Sequence, residues 1–329
     1  MDSVANLPAK QRSELFRETA SRKQISNAVA EKDFWVCWVL AKLFDNPEIA
    51  PKILFKGGTS LSKVFGLIER FSEDIDLILD WREITNEDPE AARSRTKQEL
   101  FNNNLQTAAQ NYISQRLLPK CQQLLSPVAK ANLGPNGPHS IIVRYPASFS
   151  DKYIRPEIRL EIGPLAIWAP NERYEITPYC AEEFPAVFTR RTCNVQCIKA
   201  ERTFWEKATI LHHEAFRPAG SQQPERYSRH YYDLARLDKS PIKKIALSQL
   251  DLLKSVVASK NRFYPRAWAR YDLAIPGSFR LSPPEHIKTA LERDYREMRV
   301  MIYGEQPSFK DLMEQISDLE IEINALQTT

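Results

Sequence analysis

Apolar positions along this chain follow two regimes. Before residue 200, several runs are of strand length and bounded by turn formers; after it, apolar residues recur three and four apart, as on helices. Residues 8–30 are polar with a mostly helical pattern, and EKDFWVCWVLAKLF (31–44) is apolar almost all round, which predicts a helix buried between layers. PKILFK (51–56) reads as a strand entering a Gly-Gly turn and a short helix from Thr59, and a second strand carries DIDL (74–77). Residues 82–96 are charged and loop-like, 99–125 form a long helical stretch, and turn formers crowd 131–140. SIIVRYP (140–146) and EIRLEIGP (157–164) read as two strands joined by a polar turn, and RTCNVQCIKA (191–200) as one more. From Glu201 the pattern is helical, interrupted by a Pro/Gly/Ser/Gln stretch at 217–224, and no internal repeat emerges. Strands first and helices after predict an α+β domain over residues 1–199 followed by a mostly helical domain over 200–329.

Composition changes this picture little. A chain of 329 residues suits about two domains, and 43% hydrophobic with 27% charged residues is ordinary for a globular protein and argues against disorder. A net charge of +4 permits a nucleic-acid partner and argues for one only where the positive residues cluster. The N-terminal MDSVANLPAKQRSELF lacks the apolar core of a signal peptide, and the longest apolar run, Phe34 to Ala41, is too short to span a bilayer. A cytoplasmic protein without a membrane partner is the expectation. The five cysteines (Cys37, Cys121, Cys180, Cys193, Cys197) are scattered and odd in number, which suits reduced thiols. A zinc site from Cys193 and Cys197 with His212 and His213 is set aside, because thiols four residues apart along a strand lie too far apart for easy chelation.

The chemistry concentrates in KGGTSLSKVFGLIERFSEDIDLILD (56–80). Side chains two apart on a strand share a face, so Asp74 and Asp76 point one way while Ile75 and Leu77 point into the core. Two adjacent carboxylates repel unless a cation sits between them, and hard divalent ions such as Mg²⁺ or Mn²⁺ take oxygen ligands shared with substrate phosphates. Gly57 and Gly58 allow close approach of a phosphate to the backbone. Thr59, Ser60 and Ser62 add hydroxyl donors, and Lys63 a mobile charge. A lone Gly-Gly is usually a turn and a lone DxD usually surface; in the order strand, turn, helix, strand they form the equipment of nucleotidyl transfer. A surface strand gains nothing from Ser-Glu-Asp-Ile-Asp in a row. A carboxylate on the adjacent strand would complete a two-metal site, with Glu161 of RLEIG the better candidate and Glu157 in reserve; alternatively Glu161 pairs with a neighbouring arginine.

The helical half offers three further segments. In ERTFWEKATILHHEA (201–215) the apolar arc is Phe204, Trp205, Ala208, Leu211 and Ala215, and Lys207 lies just off its edge. Its ammonium either snorkels to water or faces a cleft, where it would neutralise triphosphate charge. In RYSRHYYDLARL (226–237) Asp233 follows Arg229 by four, the spacing of a helical ion pair, while Arg226 and Arg229 beside a flexible loop also suit phosphate gripping. His230 alone is more often structural. Between 252 and 273, Lys254, Lys260, Arg262, Arg266 and Arg270 interleave with Phe263, Tyr264, Trp268 and Tyr271, which suits an RNA strand through charge and stacking; a solvated helix face over a half-buried aromatic core gives the same string. Residues 286–304 and 308–326 read as two amphipathic helices.

At KGGTSLSK, RFSEDIDL, RTFWEK and RHYYDLARL, in this order, the chain resembles the AbiEii/AbiGii-type nucleotidyltransferase toxins of bacterial toxin–antitoxin and phage-defence systems, members of the DNA polymerase β-like superfamily. VAEKDFWV and DYREMRVMIYG match as well, so the resemblance covers most of the chain. It implies a polymerase-β-like core with a helical C-terminal domain contributing Lys207 and Asp233 to the cleft. It also implies transfer of a nucleoside monophosphate from an NTP with Mg²⁺ (or Mn²⁺), releasing pyrophosphate, to an RNA acceptor, foremost the 3′ end of tRNA. By the same resemblance Gly57, Gly58, Thr59 and Ser60 form the nucleotide-binding turn with Lys63 beside it, and Asp74 and Asp76 hold the metals. Lys207 contacts the nucleotide phosphates and Asp233 is the aspartate of the last motif; Arg229, by its place beside the loop, is a further candidate for the nucleotide site. Glu161 fits the superfamily's third acidic position, where this family is variable. A cognate antitoxin is implied, and Ser72, beside Asp74, is placed for control by phosphorylation, since added negative charge would repel nucleotide. Two other readings remain: a nucleotidyltransferase acting on protein hydroxyls or a small molecule, and a catalytically silent RNA- or protein-binding relative. Intact Asp74, Asp76 and Lys207 argue against the silent one.

Overall fold

A computed structural model describes residues 1–135, 137–151 and 154–327. They form two compact units, Met1–Val64 with Phe71–Ile198, and Phe65–Arg70 with Lys199–Thr329. Phe65–Arg70, from the middle of the N-terminal half, groups with the helical unit.

The first unit contains helices α1 (Asp2–Ala5), α2 (Ala9–Lys23) and α3 (Asn27–Phe44), then β1 (Ile53–Lys56), α4 (Gly57–Lys63) and β2 (Asp74–Leu79). Helix α5 (Arg95–Tyr112) continues through a π-helical turn, Ile113–Leu117, into α6 (Leu118–Leu125). Strands β3 (Lys130–Leu133), β4 (Ser140–Arg144), β5 (Glu157–Gly163) and β6 (Asn171–Ile176), helix α7 (Tyr179–Glu183) and strand β7 (Cys193–Ile198) complete it. Among the described residues these strands make one mixed sheet of order β3-β4-β5-β2-β1-β7-β6. β2 lies near its centre, antiparallel to β1 and parallel to β5. The mixed α/β architecture agrees with the α+β expectation.

Helix α3 starts at Ser26, whose hydroxyl accepts from the Val29 N–H at 3.2 Å, satisfying one of the donors a helix start leaves open. Its residues are buried from Ala28 to Ala41, and it packs on α2, α6, α7 and β7. Burial on every side explains the all-round apolar pattern. Strands β3 and β6 are absent from the sequence expectation, which read 131–140 as turns. Both are the outer strands of the sheet, and β3 buries only Ala131 and β6 only Ile176. An edge strand exposes most side chains and carries no apolar alternation to be read.

The second unit is built of α8 (Ala200–Ala215), α9 (Ser228–Asp238), α10 (Pro241–Leu247), α11 (Leu250–Phe263), α12 (Glu285–Met298) and α13 (Phe309–Asn324). Helix α8 packs on α9, α10 and α11, and α12 and α13 pack on α9. The buried stripes Ile287, Leu291, Tyr295, Met298 and Leu312, Ile316, Leu319, Ile323 show the helical spacing expected of the C-terminal segments. Helix α11 ends at Phe263, where Pro265 disfavours helical backbone at the preceding residue, and the basic-aromatic string continues irregularly. Among the described residues no helix is long and apolar enough to cross a membrane. All five cysteines are buried and free.

Candidate active site

The turn between β1 and α4 lies directly against the DxD strand. Lys56, the last residue of β1, is in register with Asp76 of β2. Gly57 follows with φ of +82°, and a Cβ there would stand 2.0 Å from Asp76 Oδ2. Only a residue without a side chain allows the backbone this conformation and this approach. The hydroxyls of α4 then hold the turn in place. Thr59 Oγ1 donates to the Asp74 carbonyl and lies 3.0 Å from Ser72 Oγ, Ser60 Oγ donates to the Gly57 carbonyl at 2.8 Å, and Ser62 Oγ to that of Thr59 at 3.1 Å. These are the hydroxyls expected to serve phosphate. Buried or half-buried, they are instead satisfied within the protein, as such groups must be.

On the other side of β2, Asp74 is in register with Arg159 of β5 and Asp76 with Glu161. The period of two puts all four on one face of the sheet, on strands about 4.8 Å apart. The Glu161 carboxylate, half exposed, lies 3.6 Å from Arg159 Nη1, so the arginine pairing weighed as an alternative is present. Asp74 is half-buried. Burial, then the negative charges of Glu161 and Glu73, raise its pKa above the usual carboxylate value. A cation would relieve that repulsion. Among the described residues no group of three or more His, Cys, Asp or Glu is arranged to hold a metal ion. Asp74 and Asp76, with Glu161 as neighbour, offer hard oxygens that could hold a metal. This suits Mg²⁺ or Mn²⁺, which bind through one or two carboxylates and complete their shell with substrate phosphates and water.

Three consecutive charges on α3, unassigned from the sequence, support this face. Glu31, Lys32 and Asp33 are all nearly inaccessible. The Glu31 carboxylate accepts from the Ser148 and Phe149 N–H groups at 2.8 and 3.1 Å. Lys32 Nζ bonds Glu73 Oε2 and the Arg155 carbonyl, each at 3.0 Å, fixing the residue before Asp74. Asp33 accepts from the Tyr179 N–H at 2.7 Å and pairs with Lys63 Nζ at 2.7 Å, which also lies 3.9 Å from the centre of the Tyr179 ring. The mobile charge expected of Lys63 is thus a buried structural pair: desolvating Asp33 without a cation would cost several kcal/mol. A run of charges inside an otherwise apolar helix was the available signal.

A second polar cluster lies within the helical unit. Asp233 of α9 is fully buried and accepts two hydrogen bonds from Arg70, Nε to Oδ1 at 2.6 Å and Nη2 to Oδ2 at 2.7 Å. Lys207 Nζ of α8 reaches the same Oδ2 at 2.7 Å and His230 Nδ1 at 3.2 Å. Burial alone would raise the Asp233 pKa; Arg70 and Lys207 overcome it and hold the carboxyl far below its usual range. Burial, then the charges of Lys207 and Arg229, push His230 well down, so its ring is neutral and accepts from Lys207. The helical pair expected between Arg229 and Asp233 does not form, because a bidentate guanidinium already occupies the carboxylate. Lys207 neither snorkels nor stands alone.

The basic-aromatic string divides between surface and core. Arg266 and Arg270 are exposed and Lys260 and Arg262 half-buried, but Phe263 and Tyr271 belong to the core, leaving Tyr264 and Trp268 accessible. Arg270 pairs with Asp272 at 2.9 Å, and Arg266 lies 5.6 Å from the centre of the Trp268 ring. His212 is held by Arg270 and Arg280 backbone groups, not by a metal.

The family model for the AbiEii nucleotidyl transferase toxin of type IV toxin–antitoxin systems matches residues 38–315. Among solved structures, the nucleotidyltransferase toxin MenT4 (Rv2826c) of Mycobacterium tuberculosis H37Rv is 15% identical, with 95% of this chain and 99% of that one covered and a TM-score of 0.47. JHP933 of Helicobacter pylori is 17% identical, with 92% and 99% covered and a TM-score of 0.35. A search of the curated proteins finds no match.

Proposed function

The chain belongs to the AbiEii family of nucleotidyltransferase toxins of type IV toxin–antitoxin systems, and we propose that it transfers a nucleoside monophosphate from an NTP to an RNA 3′ end, foremost that of tRNA. The observation that carries this reading is the contact of the Gly57 backbone with the Asp76 carboxylate, which joins a turn able to approach phosphate and a pair of metal-binding oxygens in one local unit. Asp74 and Asp76 are the residues that would hold Mg²⁺ or Mn²⁺. That ion, when bound, supplies charge neutralisation at the transferred phosphate and a lowered pKa for the attacking hydroxyl. Gly57 and Gly58 present backbone to the nucleotide, and the absence of a side chain at Gly57 leaves room for the Asp76 carboxylate. The acceptor hydroxyl gives up its proton to solvent, its oxygen attacks the α-phosphorus, the bond to the bridging oxygen breaks, and pyrophosphate leaves. Lys207 supplies positive charge for the phosphates, as the family resemblance implies, and Arg229 is a further candidate for the same role. Exposed Arg266 and Arg270, with Lys260, Arg262 and Tyr264, are the surface for the RNA strand. Ser72, linked to Thr59, is the residue where phosphorylation would oppose nucleotide binding, and a cognate antitoxin, without a membrane partner, completes the cytoplasmic system.

The test is incubation of the purified protein with each α-³²P-labelled NTP, Mg²⁺ and total RNA, beside an Asp74→Ala/Asp76→Ala control and a chelated sample. Label in RNA of tRNA size, absent from both controls, supports the reading. Label in protein or small molecules instead keeps the chemistry and overturns the acceptor, and no label anywhere overturns the reaction.

A further inference from the structure

Two cations, Arg70 and Lys207, share the buried Asp233 carboxylate. Arg70 takes both carboxylate oxygens from one side, in the planar fork that lysine cannot reproduce. Lys207 is left with one oxygen and the neutral His230 ring, so its ammonium is directed yet not fully compensated. Such an ammonium suits an anionic oxygen of a ligand.

The backbone that carries Arg70 is itself held by a segment whose role the sequence did not reveal, DYREMRVMIYG (294–304). Arg70 forms an isolated antiparallel bridge with Ile302. The carbonyl of Glu69 accepts from the Tyr303 and Gly304 N–H groups at 2.9 and 3.3 Å. A Cβ on Gly304 would stand 2.5 Å from Glu69 Cβ and 2.3 Å from its Cδ, so this approach requires glycine. At the other end of the segment, Asp294 accepts from the Arg226 and Ser228 N–H groups at 2.6 and 2.8 Å and caps the start of α9, the helix that bears His230 and Asp233. One segment thus fixes both the guanidinium and the helix that presents its carboxylate.

We propose that Arg70 is a positioning residue for Lys207, acting through Asp233, and that residues 294–304 are the clamp that holds both in register for binding a polyphosphate. This rests on the nucleotidyltransferase reading for the identity of the ligand, whereas the coupling of Arg70 to Lys207 is testable without it.

The experiment compares the full chain with Arg70→Lys, Lys207→Met, the double variant and Gly304→Ala. Binding of inorganic tripolyphosphate and of each Mg²⁺–NTP is measured by calorimetry, and label transfer is followed in parallel. Arg70→Lys is expected to weaken tripolyphosphate binding about tenfold with a melting temperature close to that of the parent, and to add nothing once Lys207 is methionine, the non-additivity of groups that act as a unit. Gly304→Ala should repeat the loss in milder form, and carries the same cycle if Arg70→Lys fails to fold. Equal losses with and without Lys207, parent-like binding by Arg70→Lys, or no tripolyphosphate binding by the parent would each overturn the proposal. Coupled loss of binding in a protein that transfers no label would uphold it and sink the transferase reading instead.

Discussion

At Gly57 a single missing side chain decides the geometry of the candidate site. The backbone there has φ of +82° and borders the Asp76 carboxylate, so an added methyl must displace either the turn or the aspartate. Gly57→Ala is accordingly expected to lower transfer by about 10²-fold, the scale of an ångström's misplacement of a reacting group, while leaving the protein folded. Kinetics beside circular dichroism would check it; transfer at the parental rate would show that Asp76 tolerates the shift. The neighbouring serines and threonine were legible as residue types but not as roles. A hydroxyl in a glycine turn serves phosphate or backbone equally well in a sequence, and the acceptor of Thr59 becomes known only when α4 lies on β2.

Helices α3 and α8 each carry buried charge that the sequence could not assign. Lys63→Met would strand Asp33 in a fully buried position, and a loss of about 3–5 kcal/mol in denaturant unfolding is expected, with the KM for NTP unchanged in whatever protein remains folded. A raised KM at parental stability would restore Lys63 to the nucleotide site. On α8, Glu214 pairs with Arg217 at 2.7 Å. Burial would raise its carboxyl pKa, but the two hydrogen bonds from Arg217 bring it down from 4.5 to about 2. A depressed folded-state pKa gives stability that is complete above the unfolded value and lost as pH falls through the folded one. The chain should therefore lose up to ~3 kcal/mol between about pH 4.5 and pH 2 from this group, a loss that Glu214→Gln removes from the acid-unfolding profile. An unchanged profile would count against the pairing.

Across the whole molecule the net charge of +4 is too small to mark a nucleic-acid protein, and what matters is where the charge lies. Arg266→Glu with Arg270→Glu should weaken RNA binding and reduce the slope of log affinity against log salt by about one to two, since each lost phosphate contact removes its counterion release. Affinity for NTP should not change. Filter binding across a salt series distinguishes this from a general loss of fold, and an unaltered slope would place the RNA surface elsewhere.

Local features were legible from the residues alone. Apolar spacing located α3, β1, β2, β4, β5, β7 and the C-terminal helices, and turn chemistry put Gly57 beside a strand with two carboxylates on one face. The sequence was silent where an element has little buried surface, as at the edge strands β3 and β6, or where a charge has several partners to choose from. Tertiary structure alone decided that Asp233 pairs with Arg70, 163 residues away, and not with Arg229 one turn back, and that Asp33 takes Lys63. The physical reason is common to both cases. Periodicity and backbone preference act over a few residues, whereas a buried charge must be neutralised by whichever opposite charge the fold brings within reach.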